Sequence, residues 1–415
     1  MLGTGGGKGA FEAGAAYHLI VQRGCDFSEI SGISVGAING ALLAQAAVAS
    51  DPETSLANLS AAAENLIDQW TDIDSARDMM RSRPVARLRL GLFGLESLKD
   101  FEPLRNFVRT RVSLERLAAG RLLRIGTMTF DDGRYHEIVL NANGEVDPRT
   151  AHVYIFGSAI VPVFGDMPVI AASPAQPLAE REQFADGGVR HSAPVTSYFR
   201  SCRARTPGAA PTCGPLTGRN TPPHPQTEQM FVVVTSPYAR RVDLRPPVDP
   251  DAFARGTRQI TDGRQILVRM FDLLIDTASR DDLDDMLMLN DLLDWRTRTA
   301  ERLGSPLADF PLESYNAAPG GGSRPYTIAL VAPDREDSDP ATIFDVGPAT
   351  ISRQLFCGCV AAAESMERDF GLPAMTGQCV SRFPRPPARR ERSSSLWDPK
   401  VCHDARTSVS PANGR

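Results

Sequence analysis

Lysine is nearly missing from this chain. Of 45 basic residues only Lys8, Lys99 and Lys400 are lysine, and the rest are arginine. With high alanine and proline, that bias fits a GC-rich, bacterial coding sequence and carries no mechanism. An excess of positive charge is missing too. The formal net charge is −5 and the isoelectric point is near 5.8, which excludes a nucleic-acid-binding surface and nucleic-acid partners. Long apolar runs are scarce. The longest, Val35 to Ala49, is interrupted by Asn39 and Gln45 and is too short to span a membrane, so it reads as a buried helix. No basic stretch followed by an apolar one stands at Met1, so no secretory signal is read there. The expectation is a cytoplasmic protein or one that touches membranes from outside, with a true start that can lie upstream.

Other absences narrow the chemistry. Seven cysteines cannot all pair internally. Cys202 and Cys213 bracket a Pro/Gly-rich loop and could bridge it. Cys357 and Cys359 stand two apart on a predicted helix and face different directions, so they are expected to be buried or free thiols rather than a metal pair. The cluster Asp281, Asp282, Asp284, Asp285 lacks the alternating ligands and the glycine of a calcium loop and reads as a solvated face. No metal and no cofactor are called for. None of the six histidines, His18, His136, His152, His191, His224 and His403, sits in a motif that would make it the base of a serine hydrolase. His191 lies near Asp186 and is expected to cap or pack the segment that follows.

What is present is a series of strand-to-helix turns. Met1 to Thr4 leads into Gly5-Gly6-Gly7-Lys8-Gly9 and then a helix from about Phe11 to Arg23, leaving room for only a very short first strand. A strand ending in Glu29-Ile30-Ser31 runs into Gly32-Ile33-Ser34-Val35-Gly36 and a helix starting near Ala37. Residues 52–117 read as mostly helical. Leu122 to Thr129 and Arg134 to Leu140 flank Asp131-Asp132-Gly133, a hairpin signal. A short helix from about Thr150 to Ile160 ends before Pro162, and a strand leads into Phe184-Ala185-Asp186-Gly187-Gly188. Further on come a strand over Met230 to Thr235, helical periodicity from Ile260 to Arg298, a strand over Tyr326 to Val331 and a helix over Pro348 to Glu367. Alternating strands and helices predict a layered α/β fold with a mainly parallel sheet, whose ligands sit at the carboxyl ends of the strands.

Gly-x-Ser-x-Gly between a strand and a helix is a nucleophile elbow: its glycines allow a tight turn that leaves Ser34 Oγ exposed at a helix N-terminus. Acyl transfer by such a serine needs a base and donors for the oxyanion. The Gly5–Gly9 backbone can supply the donors. It fits neither a P-loop, since Gly9-Ala10 rather than Ser/Thr follows Lys8, nor a dinucleotide loop. Asp186, on a tight Asp-Gly-Gly turn, is the candidate base. An aspartate is a weak base at neutral pH unless partly desolvated, so a sheltered site within hydrogen-bond reach of Ser34 is predicted.

Four elements in this order, Gly-Gly-Gly-Lys-Gly, Gly-x-Ser-x-Gly, Ser158-Ala-Ile-Val-Pro162 and Asp-Gly-Gly, make the chain resemble the patatin-like phospholipases over roughly its first 200 residues. Thr4 stands where the family's first loop glycine is common, and Gly157-Ser158 replaces the usual Ala-Ser. The resemblance implies a three-layer α/β sandwich around a central, mainly parallel sheet, related to but distinct from the α/β-hydrolases. It implies a Ser34–Asp186 dyad, with oxyanion N–H groups from Gly6, Gly7 and Lys8. Gly5, Gly9, Gly32, Gly36, Gly187 and Gly188 would support the motifs, while Ser158 and Pro162 shape the wall that positions the aspartate. It also implies hydrolysis of acyl esters of phospholipids or neutral lipids without a metal. Residues 1–200 would form the catalytic core, 201–229 a flexible insertion, 230–380 helices and strands completing the same domain, and 381–415 a disordered tail. A general carboxylesterase or thioesterase, or a catalytically silent binding protein of the same fold, are the alternatives.

Overall fold

The structure is a computed structural model and describes residues 1–83, 97–141, 146–147, 150–170, 182–191, 193, 229–235, 263–305, 327–333 and 346–383. The expected Cys202–Cys213 bridge, most of the 201–229 insertion and most of the 381–415 tail lie outside the described residues. The strands are β1 (Glu29–Ile33), β2 (Arg81–Ser82), β3 (Lys99–Asp100), β4 (Leu122–Thr129), β5 (Tyr135–Val139), β6 (Val169–Ile170), β7 (Glu182–Asp186), β8 (Gln229–Val233) and β9 (Thr327–Val331). The helices are α1 (Gly9–Tyr17), α2 (Val35–Ala44), α3 (Pro52–Thr71), α4 (Glu102–Arg111), α5 (Leu114–Ala118), α6 (Ala151–Ser158), α7 (Gly263–Leu303), α8 (Pro348–Phe370) and α9 (Thr376–Arg382).

Local chemistry accounts for these elements. All ten residues of α2 are buried, as its nearly unbroken apolar sequence requires. The start of α3 is set by Asp51, whose carboxylate accepts from Thr54 N–H, with Pro52 in the first turn where its missing N–H is not needed. The Asp131-Asp132-Gly133 turn joins β4 and β5 as an antiparallel pair, with Gly133 at φ 68°. The stretch 52–117 is not wholly helical: β2 and β3 pair antiparallel between α3 and α4.

The sheet is mixed. β1 pairs parallel with β4, and β8 pairs parallel with β9. On its other side β4 meets β7 antiparallel, and β7 meets β6 antiparallel. The very short first strand is a single seam residue. Leu2 forms parallel bridges to both Gly32 of β1 and Val233 of β8. Leu2 N–H donates to Ser31 O at 2.8 Å, and Gly3 N–H donates to Val233 O at 2.9 Å. Residues 1–3 thus join β8–β9 to β1–β4 into one surface.

The core gathers on this sheet. Phe11, Leu19 and Ile20 from the α1 region, Leu355, Phe356 and Val360 from α8, and Leu59, Leu66 and Ile67 from α3 are all nearly inaccessible. A disulfide between Cys359 of α8 and Cys379 pins α9 to that layer, and Cys357 is disulfide-bonded as well. Both cysteines therefore depart from the expected free thiols: facing different directions on a helix lets each find a different partner. Cys25 is buried and is not in a disulfide. No described helix is long and apolar enough to cross a membrane.

Candidate active site

Ser34 leaves β1 with φ 58° and ψ −126°, a backbone conformation that disfavours any residue with a Cβ and costs on the order of 1–3 kcal/mol. The turn survives because its flanks have no side chains. A Cβ on Gly32 would lie 2.1 Å from Gly36 O, and one on Gly36 would lie 2.4 Å from Gly3 O. Gly36 therefore lets the elbow press directly against the backbone of residues 2–3, just before the glycine loop. The Ser34 amide donates to Ser158 Oγ at 2.9 Å, and that hydroxyl donates to Gly126 O at 2.6 Å. Ser158 is fully buried, so this relay fixes the elbow to β4 from the end of α6.

Asp186 arrives from the other direction. Ile33 at the end of β1 stands opposite Gly126, while Asp186 at the end of β7 stands opposite Thr127. Because β7 runs antiparallel to β4, the two strand ends meet across one intervening strand, about 10 Å of backbone separation that two side chains can close. Ser34 Oγ–H donates to Asp186 Oδ2 at 2.6 Å, and Gly188 N–H donates to Oδ1 at 2.7 Å. Asp186 N–H donates to Ile160 O at 2.9 Å, so the segment from Ser158 to Pro162 holds the aspartate's backbone. Pro162 is itself buried, and Ala159 and Val161 line the pocket beside Ser34.

Both side chains are withdrawn from water: Ser34 is 4% and Asp186 1% exposed. Burial pushes the Asp186 carboxyl up to about 7, against the hydrogen bonds from Ser34 and Gly188 that pull it down. A carboxylate that titrates near neutrality can accept a proton from a serine hydroxyl and return it.

In the glycine loop, Gly6 takes φ 53°, and Gly6 and Gly7 line the pocket with Ser34. The Lys8 amide is directed elsewhere: it donates to Gly5 O at 3.0 Å, closing a tight helical turn. Of the three amides expected to serve an oxyanion, that of Lys8 is thus spent inside the loop, which leaves Gly6 and Gly7 as the candidates. The Lys8 side chain is buried. The loop is anchored from just beyond β8, where Thr235 Oγ1–H donates to Thr4 O at 2.7 Å. Nothing in the spacing around Thr235 marks it for this part. Thr4 is buried against the Asp-Gly-Gly turn, where a Cβ on Gly188 would lie 2.5 Å from Thr4 Oγ1.

The pocket beside Ser34 is walled mostly by apolar side chains, among them Val35, Ile38, Trp70, Met80 and Phe101. A hydrogen-bond network runs beneath it. Asn39 donates to Gly9 O and Glu12 Oε2 and accepts from Trp70 Nε1. Burial raises the Glu12 carboxyl well above its ordinary range.

His191 does not join Ser34. Its Nδ1 lies 2.8 Å from Asp282 Oδ1, and its ring packs edge-on against Tyr135. Asp282 also accepts from Ala193 N–H. It is therefore a docking residue of α7 rather than part of a solvated face. Among the described residues the metal-type grouping is His18 with Cys359 and Cys379, and both sulfurs there are committed to the disulfide.

Residues 1–198 match the family model described as patatin-like phospholipase. The crystal structure of VipD from Legionella pneumophila aligns with 89% of this chain and 70% of its own, at 9% identity and a TM-score of 0.30. No curated protein matches the chain.

Proposed function

We propose that this chain, whose residues 1–198 form a patatin-like phospholipase domain, is a serine hydrolase of lipid acyl esters, of phospholipase A or lysophospholipase type. The observation that carries the reading is the 2.6 Å hydrogen bond from Ser34 Oγ to Asp186 Oδ2, made at a strained elbow and inside a desolvated site. The apolar pocket that opens on the same serine is a seat for an acyl chain. Residues 230–380 complete the same domain, with helices on both faces of the sheet, and the substrate is reached from a membrane surface or a micelle.

The steps follow from the geometry. Ser34 Oγ attacks the ester carbonyl carbon as Asp186 Oδ2 takes its proton. The carbonyl oxygen becomes an oxyanion held by the N–H groups of Gly6 and Gly7, which line the pocket with Ser34. Collapse breaks the bond to the alcohol, which leaves with the proton from Asp186, and an acyl-Ser34 ester remains. Water then attacks that ester while Asp186 takes its proton, a second oxyanion forms in the same place, and the fatty acid departs with Ser34 restored.

Covalent labelling tests this reading. A fluorophosphonate probe is expected to label wild-type protein at Ser34 and to leave Ser34→Ala unlabelled. Folded wild-type protein that takes no label would refute the reading.

A further inference from the structure

The acyl pocket has a far end, and that end is built differently from its walls. Val35, Ile38 and Leu42 stand at helical spacing along one face of α2 and carry the wall away from Ser34. Leu42 of α2 and Gln69 of α3 then line two spaces at once. One is the apolar pocket. The other is a groove behind it, whose lining includes Asn58, Asn65, Arg111 and Arg116. Leu42 and Gln69 are themselves almost wholly buried, at 9% and 8% exposure, so they stand between the two spaces as a partition. Gln69 is held in place by donating to Asn65 Oδ1 at 3.1 Å.

We propose that Leu42 and Gln69 form a stop that measures the acyl chain and sets the substrate class as medium-chain acyl esters, with acyl groups of about ten carbons. This rests on the hydrolase reading for the position of the ester. The length comes from the helix. Ser34 to Leu42 is eight residues of rise, about 12 Å. An extended chain advances roughly 1.2 Å per bond, so about ten carbons reach from the nucleophile to the stop. Each methylene inside the apolar pocket leaves water and strengthens binding about fourfold. A methylene pushed past Leu42 and Gln69 enters a groove where amides and guanidinium groups alternate with alanines, so it displaces water from polar partners and gains much less than inside the pocket.

The test separates binding from turnover. Straight-chain alcohols from hexanol to tetradecanol are titrated into Ser34→Ala protein by calorimetry, and p-nitrophenyl esters of the matching lengths are assayed on protein with Ser34 intact. Affinity and kcat/KM are expected to climb about fourfold per methylene up to about ten carbons and then level or fall. Leu42→Ala and Gln69→Ala open the partition from opposite helices, and each is expected to move the break to longer chains. An even climb through tetradecanol overturns the proposal, as does a break that stays in place in both variants. If the alcohols show the break but the protein with Ser34 intact cleaves no ester, the hydrolase reading fails and the measuring stop stands.

Discussion

Replacing Asp186 with asparagine should remove activity and strengthen the fold in one step. The amide is nearly the same shape as the carboxyl. Its oxygen can still accept from Gly188 N–H, and its nitrogen can donate to Ser34 Oγ, reversing the bond now made at 2.6 Å. What disappears is the charge. The folded protein holds the Asp186 carboxyl at about 7, against an ordinary 3.8, because the site is desolvated. Below about pH 4 the group is neutral in both folded and unfolded chains. Between there and about pH 7 the unfolded chain ionises and the folded one does not, so stability falls as pH rises, and the loss is complete above about pH 7. About three pH units at about 1.4 kcal/mol each amount to roughly 4 kcal/mol. Subtracting about 1 kcal/mol for the altered hydrogen bond leaves a net gain of about 3 kcal/mol for Asp186→Asn at pH 8. At about pH 5 most of that gain is gone. Urea unfolding of both proteins at the two pH values measures it, and ester hydrolysis of the same samples should fall by about 10²–10⁴-fold. A variant less stable than wild type at about pH 8, a difference that ignores pH, or full activity would refute the reasoning.

The pH profile of kcat/KM should rise through a single ionisation near 7 and flatten above it, because only the carboxylate form of Asp186 accepts the Ser34 proton; a profile already flat from about pH 5 would contradict this. Ser158→Ala leaves the Ser34 amide and Gly126 O without their shared hydroxyl, so it should destabilise by about 1–3 kcal/mol and lower kcat more than it raises KM. His191→Ala should keep its ester turnover while losing some stability, since its partner is Asp282 rather than Ser34, and turnover with a thermal melt on one preparation reads both. Cys359→Ser opens a link between residues 20 apart in sequence and should cost about 3 kcal/mol, read as a lower melting temperature than the oxidised wild type; an unchanged melting temperature would contradict this.

Most of the site could be located from residue types because its parts are local. Gly32, Ser34 and Gly36 lie in one turn, Asp186 and Gly188 in another, and each turn has a steric reason for its glycines. The hairpin β4–β5 was legible for the same reason, with Asp-Asp-Gly between two β-rich runs. What could not be read is whatever depends on a partner far along the chain. The run Phe184-Ala185-Asp186 looks the same in a parallel or an antiparallel strand, since direction is set by the connection and not by side-chain alternation. Met1 to Gly3 read as too short for a strand because the ladders flanking it come from β1 and from β8, about two hundred residues apart in sequence. Asp282 looked solvated among like-charged neighbours until His191 stood beside it. Cys359 gave no sign of Cys379. The family resemblance implies an oxyanion donor at the Lys8 amide, whereas a tight turn inside the loop spends that amide on Gly5 O.

The seam at residues 1–3 also sets the order in which this molecule can become competent. Thr235 reaches back across 231 residues to hold Thr4, and the glycine loop begins immediately after. Contacts of such separation are among the slowest to close, because the chain between them must be gathered first. During synthesis, Ser34 and Asp186 can meet once β7 has emerged, but the loop that would stabilise the oxyanion is held only from the β1 side until β8 docks. A half-made chain therefore carries a nucleophile without its electrostatic counterpart. Maturation of the site is timed by the arrival of residues 229–235 rather than by the segments that contain the reacting groups.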